Sequence, residues 1–310
     1  MELLRDLDHV DPRFKGGALS VGVFDGVHLG HQKVLARTIE RAAALGAAPL
    51  VFTFHPHPLQ ILRPSLAPPL IQTFGQKLEL MRRLGIRAVV WPQHVERILS
   101  MSPEDFVRRV VVGTLAAKVV VEGRDFRFGA RRAGHAEQLT AIAAAHDLQV
   151  ELVEDVVVDG QRVSSTRIRS LLAEGRAAEA ARCLGRPYAY VGTVVEGHHR
   201  GQPLGFPTVN LAAPRFLVPA EGVYAGWAEV HGRRYPAAVS VGRAPTFRAS
   251  EPVAVEAYLL DFDGELYGDQ MTVEFVERLR DQQAFADVEA LKQQMDADCS
   301  RVREVLGAGD

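Results

Sequence analysis

The 310-residue sequence is poor in cysteine. Its two, Cys183 and Cys299, are far apart and belong to no CxxC or zinc-like spacing. That excludes a disulfide framework and fits a reducing, cytoplasmic setting. Charge of one sign is lacking too: 36 Lys and Arg face 38 Asp and Glu, for a net charge of −2. Nucleic acid is therefore not an expected partner, because its binding draws on a basic excess. No apolar run approaches the roughly 18 residues of a membrane span, so no membrane association is expected. Residues 1–12 mix acids and bases without the apolar core of a signal peptide. There is no internal repeat, no P-loop and no GxGxxG fingerprint.

What is present is ordinary globular composition, 47% hydrophobic and 24% charged, over a length that predicts two domains. In the first half, short β-branched runs at 19–24, 50–54, 88–91, 118–121 and 150–153 alternate with Ala/Leu/Arg-rich stretches at 32–45, 103–115, 136–146 and 168–174. Continuous apolar strands separated by helices predict an α/β domain with a parallel, doubly wound, Rossmann-like sheet. Ser102 as N-cap and Pro103 at N1, followed by Glu104 and Asp105, mark one helix start. The pattern changes near Gly185-Arg186-Pro187. Beyond it, runs at 188–195, 208–211, 223–230, 234–241, 253–260 and 271–275 follow one another without intervening helices. They predict an antiparallel sandwich or small β-barrel, closed by one or two C-terminal helices over 285–306. The domains are placed at 1–184 and 185–310.

The strongest local signal is GVFDGVHLGH at 22–31, after a strand and opening a helix. Glycines let backbone approach an anion, and a helix N-terminus offers free N–H groups at the positive end of its dipole. His28 and His31, three apart, share a face of a first helical turn and can donate to phosphate oxygens. Gly22, Phe24, Asp25 and Gly30 complete this candidate nucleotide cradle. A tight turn with two surface histidines is the plainer reading. Past the second strand, HPHP at 55–58 places His57 at a carboxyl end of the sheet, where ligand crevices form. The four histidines also raise a zinc reading, without a cysteine or third-ligand pattern to support it. In SSTRIR at 164–169, Ser164, Ser165, Thr166 and Arg169 suit a grip on pyrophosphate; the alternative is a helix cap. In DFRFG, Asp125 precedes Phe126 and Phe128, which can stack on a flat ring or anchor the core.

HxGH after a first strand with SSTxxR after the last resembles the nucleotidylyltransferase superfamily. The wider set is similar to one family, the bacterial bifunctional riboflavin kinases/FMN adenylyltransferases, also called FAD synthetases. The matching pieces are GVFDGVHLGHQ, FTFHPHP, DFRFG and SSTRIR, then GTVVEGHHRGQPLGFPTVNL, GVYAG, SVGRAPTF and VEAYLLDFDGELYG. Two places depart from the pattern: Ser240, where Asn is commoner, and the looser Thr-x-x-x-Lys spacing ending at Lys77.

The resemblance implies a nucleotidylyltransferase domain that transfers AMP from ATP to FMN, giving FAD and pyrophosphate. It implies a flavokinase-like barrel that phosphorylates riboflavin to FMN, leaving ADP. ATP is the co-substrate and Mg²⁺ the implied metal, held by Thr208 and Asn210 of GFPT-x-N. The segment 192–205, with Gly192 and Gly201 as its candidate ATP-binding glycines, reads as a loop over the phosphates or a plain hairpin loop, and Glu256 is the implied catalytic base. The 253–260 strand sets Glu256 and Tyr258 on the face opposite Val255, Ala257 and Leu259. Arg280 is expected to help shape the flavin pocket. These motifs do not specify an oligomeric state. A flavin-sensing regulator or an aminoacyl-tRNA synthetase-like protein would reuse parts of the pattern. The full motif set counts against the first, and the near-neutral charge against the second.

Overall fold

The computed structural model of the chain describes residues 1–196, 206–212, 216–243 and 253–308. It divides into two compact units, residues 1–68 with 74–163, and residues 69–73 with 164–310.

The first unit holds a six-stranded parallel sheet. Its strands are β1 (Glu2–Leu4), β2 (Ala18–Val21), β3 (Leu50–Phe52), β4 (Ala88–Val90), β5 (Val119–Gly123) and β6 (Gln149–Val153), in the order β1-β4-β3-β2-β5-β6. Leu50, Val51 and Phe52 are buried, as are Ala88, Val89 and Val90. Strands covered on both faces need such unbroken apolar runs. Helices α1 (Leu29–Ala44), α2 (Phe74–Leu84) and α3 (Ala136–Ala143) belong to this unit. β2 ends earlier than the apolar run suggests, because the chain turns at Gly22 and Phe24 adopts φ 51°. β1 and α2 are elements the periodicity did not single out. At the expected helix start, Ser102 accepts from the Asp105 N–H at 3.0 Å and Pro103 occupies the first turn. After Pro103–Asp105 the helix continues over Phe106–Thr114 with the wider π spacing.

The second unit opens with α4 (Ser165–Ala173) and α5 (Ala177–Leu184), so both helices pack with the barrel although they precede position 185. The barrel strands are β7 (Tyr188–Val195), β8 (Thr208–Ala212), β9 (Gly222–Val230), β10 (Arg233–Gly242), β11 (Ala254–Leu259) and β12 (Gln270–Arg280). They close in the order β7-β8-β11-β10-β9-β12, every pairing antiparallel. Of the two expected architectures, the barrel is the one adopted. Val239, Val241, Val255, Ala257, Leu259 and Phe275 are buried on the inner faces. At Gly226 a Cβ would lie 2.0 Å from the Glu274 carbonyl oxygen, beside an irregularity in the β9–β12 ladder, so a side chain there has no room. One C-terminal helix, α6 (Val288–Leu306), starts on Asp287, whose carboxylate accepts from the Ala290 N–H at 2.8 Å. It packs Cys299 and Val302 against Ala225 and, through them, Ala238 and Tyr258. Among the described residues, no helix is long and apolar enough to cross a membrane.

Candidate active sites

From β2 the chain steps outward to β3 and β4, then returns to the other side of β2 as β5. This order creates a switch point at the carboxyl ends of β2 and β5, where open parallel sheets leave a crevice. The β2–β5 ladder is registered at Ala18↔Val119 and Leu19↔Val120. Beyond it, the buried carboxyl of Glu122 accepts from the Val21 N–H at 2.5 Å, with the Ser20 hydroxyl 3.4 Å away. Burial raises the Glu122 pKa well above the ordinary carboxyl range, which its hydrogen bonds only partly oppose.

From Val21 the chain enters the turn at 22–28. Phe24 (φ 51°), Gly26 (φ 89°) and Val27 (φ 38°) all take positive φ, a region sparsely open to non-glycine residues. His28 then caps α1: its Nδ1 accepts from the His31 N–H at 3.3 Å. A ring nitrogen that accepts carries no proton, so in the neutral ring the proton sits on Nε2. The His31 ring stacks on that of His28, centroids 3.6 Å apart, and meets Phe24 edge-on at 5.2 Å. A Cβ on Gly30 would come within 3.1 Å of the His28 ring, so glycine makes room for the stack. Burial above all, with smaller contributions from the neighbouring His28 and Lys77, pushes the His31 pKa well below 6.5. Its Nδ1 is buried with no hydrogen-bond partner. Asp25 is buried in the same turn. The cradle residues Gly22, Phe24, Asp25, Gly30, His28 and His31 therefore do gather at one strand-to-helix junction.

The other expected residues of this unit are placed as follows. His57 caps the short helix Pro58–Leu62, accepting from the Leu59 N–H at 3.1 Å. His55 stacks on Phe74 at 4.4 Å, and the Trp91 indole N–H donates to its carbonyl at 2.8 Å. Among the described residues no group of three or more His, Cys, Asp or Glu could hold a metal, so the zinc reading has no support. Phe126 and Phe128 stack with each other at 5.2 Å. Phe128 is a core anchor against Phe106, whereas Phe126 is only half-buried. Exposed Asp125 pairs with Arg162 at 2.8 Å. Sequence reasoning passed over Glu122 and left the placing of Lys77 open.

In the second unit Ser164 caps α4, its hydroxyl accepting from the Arg167 N–H at 3.2 Å, as the plainer reading of SSTRIR held. Ser165 and Thr166 occupy the first turn, and Arg169 donates to the Pro69 carbonyl at 2.9 Å. In the barrel, Asn210 pairs across the ladder with Glu256, and Glu256 with Ser240. Directly paired residues of antiparallel strands point to one side. Asn210, Glu256 and Ser240 thus form one row on the face opposite the buried Val255 and Ala257. Thr208, paired with Tyr258, stands one step along the same face. Gln282 donates to the Ser240 hydroxyl at 2.8 Å, which shows what the uncommon serine does. Gly192 lies inside β7, opposite Met271, where a Cβ would meet Leu211 at 3.1 Å. It is a packing glycine of the strand rather than a loop residue. Gly201 lies outside the described residues. Arg280 meets both carboxylate oxygens of buried Asp298, which also accepts from Gln294. Its guanidinium thus ties β12 to α6.

Comparison with known proteins matches the two parts of the chain to two families. The family model for FAD synthetase matches residues 11–167, and that for riboflavin kinase matches residues 184–306. A bifunctional riboflavin kinase/FMN adenylyltransferase of Pseudomonas fluorescens is 36% identical, covering 98% of this chain and 97% of its own length. The corresponding Bacillus subtilis protein is 34% identical over 90% and 89%. A solved structure described as a macrolide-efflux protein from Streptococcus pneumoniae superposes with a TM-score of 0.86 and 29% identity, covering 97% of this chain and 98% of that one. It shares the two-part fold, whatever its description.

Proposed function

The chain belongs to the bifunctional riboflavin kinase/FMN adenylyltransferase family, and from that premise we propose which of its residues carry each of the two ATP-dependent steps. The barrel phosphorylates riboflavin to FMN; the nucleotidylyltransferase half joins FMN to AMP and releases pyrophosphate. We divide the two activities at 184/185.

In adenylyl transfer an oxygen of the FMN phosphate attacks the α-phosphorus of ATP, and the bond to the β-phosphate oxygen breaks. The second pKa of such a phosphate is about 6, so the nucleophile is largely deprotonated at neutral pH and needs no base. The site has to align the phosphates and stabilise charge on the transferring group. The observation that carries the assignment is the His28–His31 stack at the start of α1, with a buried, unpartnered His31 Nδ1. These rings donate or accept at fixed points without bringing a pair of like charges into a closed site. Gly22, Phe24, Asp25 and Gly30 shape the cradle, and His57 is assigned to its rim. Ser164, Ser165, Thr166 and Arg169, at the start of α4, are assigned to the pyrophosphate. Asp125, Phe126 and Phe128 are assigned to the flavin, with Phe126 as the stacking surface.

In the kinase step the primary hydroxyl of riboflavin attacks the γ-phosphorus, ADP leaves, and the hydroxyl proton passes to Glu256. A neutral alcohol profits from such a base, unlike the phosphate of the other half. Thr208 and Asn210 offer a hydroxyl and an amide oxygen on one face of β8 beside Glu256. All-oxygen donors of this kind fit Mg²⁺, which prefers few protein ligands alongside phosphates and water. Thr208 and Asn210 would hold such an ion, which would supply neutralisation of phosphate charge. Gly201 is assigned to the phosphate-covering segment, Arg280 to the wall of the flavin pocket, and the enzyme to the cytoplasm. The test is incubation of the purified chain with riboflavin, ATP and Mg²⁺, then chromatographic separation of flavins. FMN and then FAD are expected, and chelation of Mg²⁺ stops FMN formation. If FAD forms from supplied FMN but riboflavin stays unphosphorylated, the kinase assignments fall.

A further inference from the structure

Lys77, on α2, is almost wholly buried, at 6% exposure. Its ammonium donates to the Val23 carbonyl at 2.7 Å, at the point where the chain leaves β2 for the positive-φ turn. An ammonium carries three donors. Among the described residues, Val23 is the hydrogen-bond partner of Nζ, and the Phe74 ring lies 5.6 Å away. The charge of Lys77 bears on His31, whose Nδ1 is buried and unpartnered. Burying a lysine this way is unfavourable, and an apolar side chain would fill the space without that penalty. Such a cation is retained where charge or a hydrogen bond is used.

We infer that Lys77 is a positioning residue for adenylyl transfer, gripping the Val23 carbonyl so that the 22–28 turn and the stacked histidines keep the geometry the nucleotide requires. The inference rests on the assignment of that turn to the adenylyltransferase. It supplies the turn with a buried cation, held at the Val23 carbonyl. Asp25 in the turn favours the charged ammonium. His31 on α1 and His55 after β3 both have lowered pKa values, in part because of Lys77. On the outer side of α2, Glu79 is engaged by Arg82 and Arg83. Burial brings the ammonium down to about 8. The grip is therefore charged at neutral pH and weakens through mild alkali.

The experiment measures kcat for FAD formation from FMN and ATP between about pH 6.5 and 9.5 in the full-length protein, with FMN formation from riboflavin followed in parallel. In the wild type, FAD formation should fall with a break near pH 8 that FMN formation lacks. Lys77→Met should lower kcat for FAD formation roughly thirtyfold at pH 7 and abolish the break, leaving FMN formation within twofold. A wild-type profile flat to about pH 9.5 overturns the inference whether or not the variant folds. A folded Lys77→Met protein with undiminished FAD formation, or with the break intact, also overturns it. Wild-type protein that makes no FAD at any pH would instead remove the underlying assignment.

Discussion

The rings of His28 and His31 lie face to face, centroids 3.6 Å apart and planes 16° from parallel. Two imidazolium ions would not stack this way in a buried site, since like charges at that distance repel strongly in a medium of low polarity. The pair is built from its backbone: His28 Nδ1 accepts from the His31 N–H, and Gly30 between them leaves room for the ring. An HxGH motif thus becomes a stacked pair of rings at a positive helix end.

His31→Ala removes one positioned group while sparing the His28 cap, because the cap uses the backbone N–H of position 31. The fold should persist. FAD formation should fall by about 10²–10³, the usual cost of one positioned donor at a reacting phosphate or oxyanion. FMN formation should not change. A folded variant with normal FAD yield, judged by circular dichroism and flavin chromatography, would sink the assignment.

Glu122 gives a prediction in the pH dependence of stability. Its carboxyl is buried and its pKa is raised well above the ordinary value. Between the unfolded pKa of about 4.3 and that raised value, the native state holds a proton the unfolded chain has lost. Stability therefore declines as pH rises through this window. Glu122→Gln keeps an oxygen to accept from Val21 and Ser20 but does not titrate. Its melting temperature relative to the wild type should climb steadily from about pH 5 upward. A difference that stays constant with pH would show that Glu122 ionises freely in the folded protein.

The turn at 22–31 was legible because its backbone is written in the residues: glycines mark positive φ and close approach, and a strand run precedes them. The barrel was legible from alternation, since Val255, Ala257 and Leu259 read as one face and Glu256 and Tyr258 as the other. Glu122 was not. A glutamate ending the run 118–121 looks like a solvent-facing residue, and it becomes buried only where β2 and β5 part beyond Leu19↔Val120. The Arg280–Asp298 pair joins residues 18 apart on a strand and a helix, which no local periodicity connects. Gly192 misled because a glycine-rich segment reads as loop, whereas this glycine serves packing against Leu211. The π spacing of Phe106–Thr114 has no local signature at all, since its apolar pattern also suits an α-helix.

Glu256 should separate the two activities. Glu256→Gln preserves shape and hydrogen bonding but cannot take a proton. FMN formation should fall by about 10²–10⁴, the range general-base catalysis supplies. FAD formation from FMN should hold, because its nucleophile arrives deprotonated. Assaying each half-reaction with its own flavin acceptor decides the matter, and unchanged kinase turnover refutes the base.

Arg280 and Asp298 predict what holds the last helix in place. The Asp298 side chain is 9% exposed and that of Arg280 19%. Their two-pronged contact takes both charges largely out of water. Removing one partner from such a pair leaves the other charge buried and unanswered, at a typical cost of about 3–5 kcal/mol. Asp298→Ala should therefore destabilise the barrel unit by that order, whereas substituting an exposed acid such as Asp261, paired with Arg303 at the surface, should cost under about 1 kcal/mol. Replacing both members by apolar residues, Arg280→Met with Asp298→Leu, should recover most of the loss, because matched apolar groups need no compensating charge. Denaturant melts of the four proteins test this. If the double variant is as unstable as Asp298→Ala, the cost comes from lost hydrogen bonds to Gln294 and the backbone rather than from a stranded guanidinium.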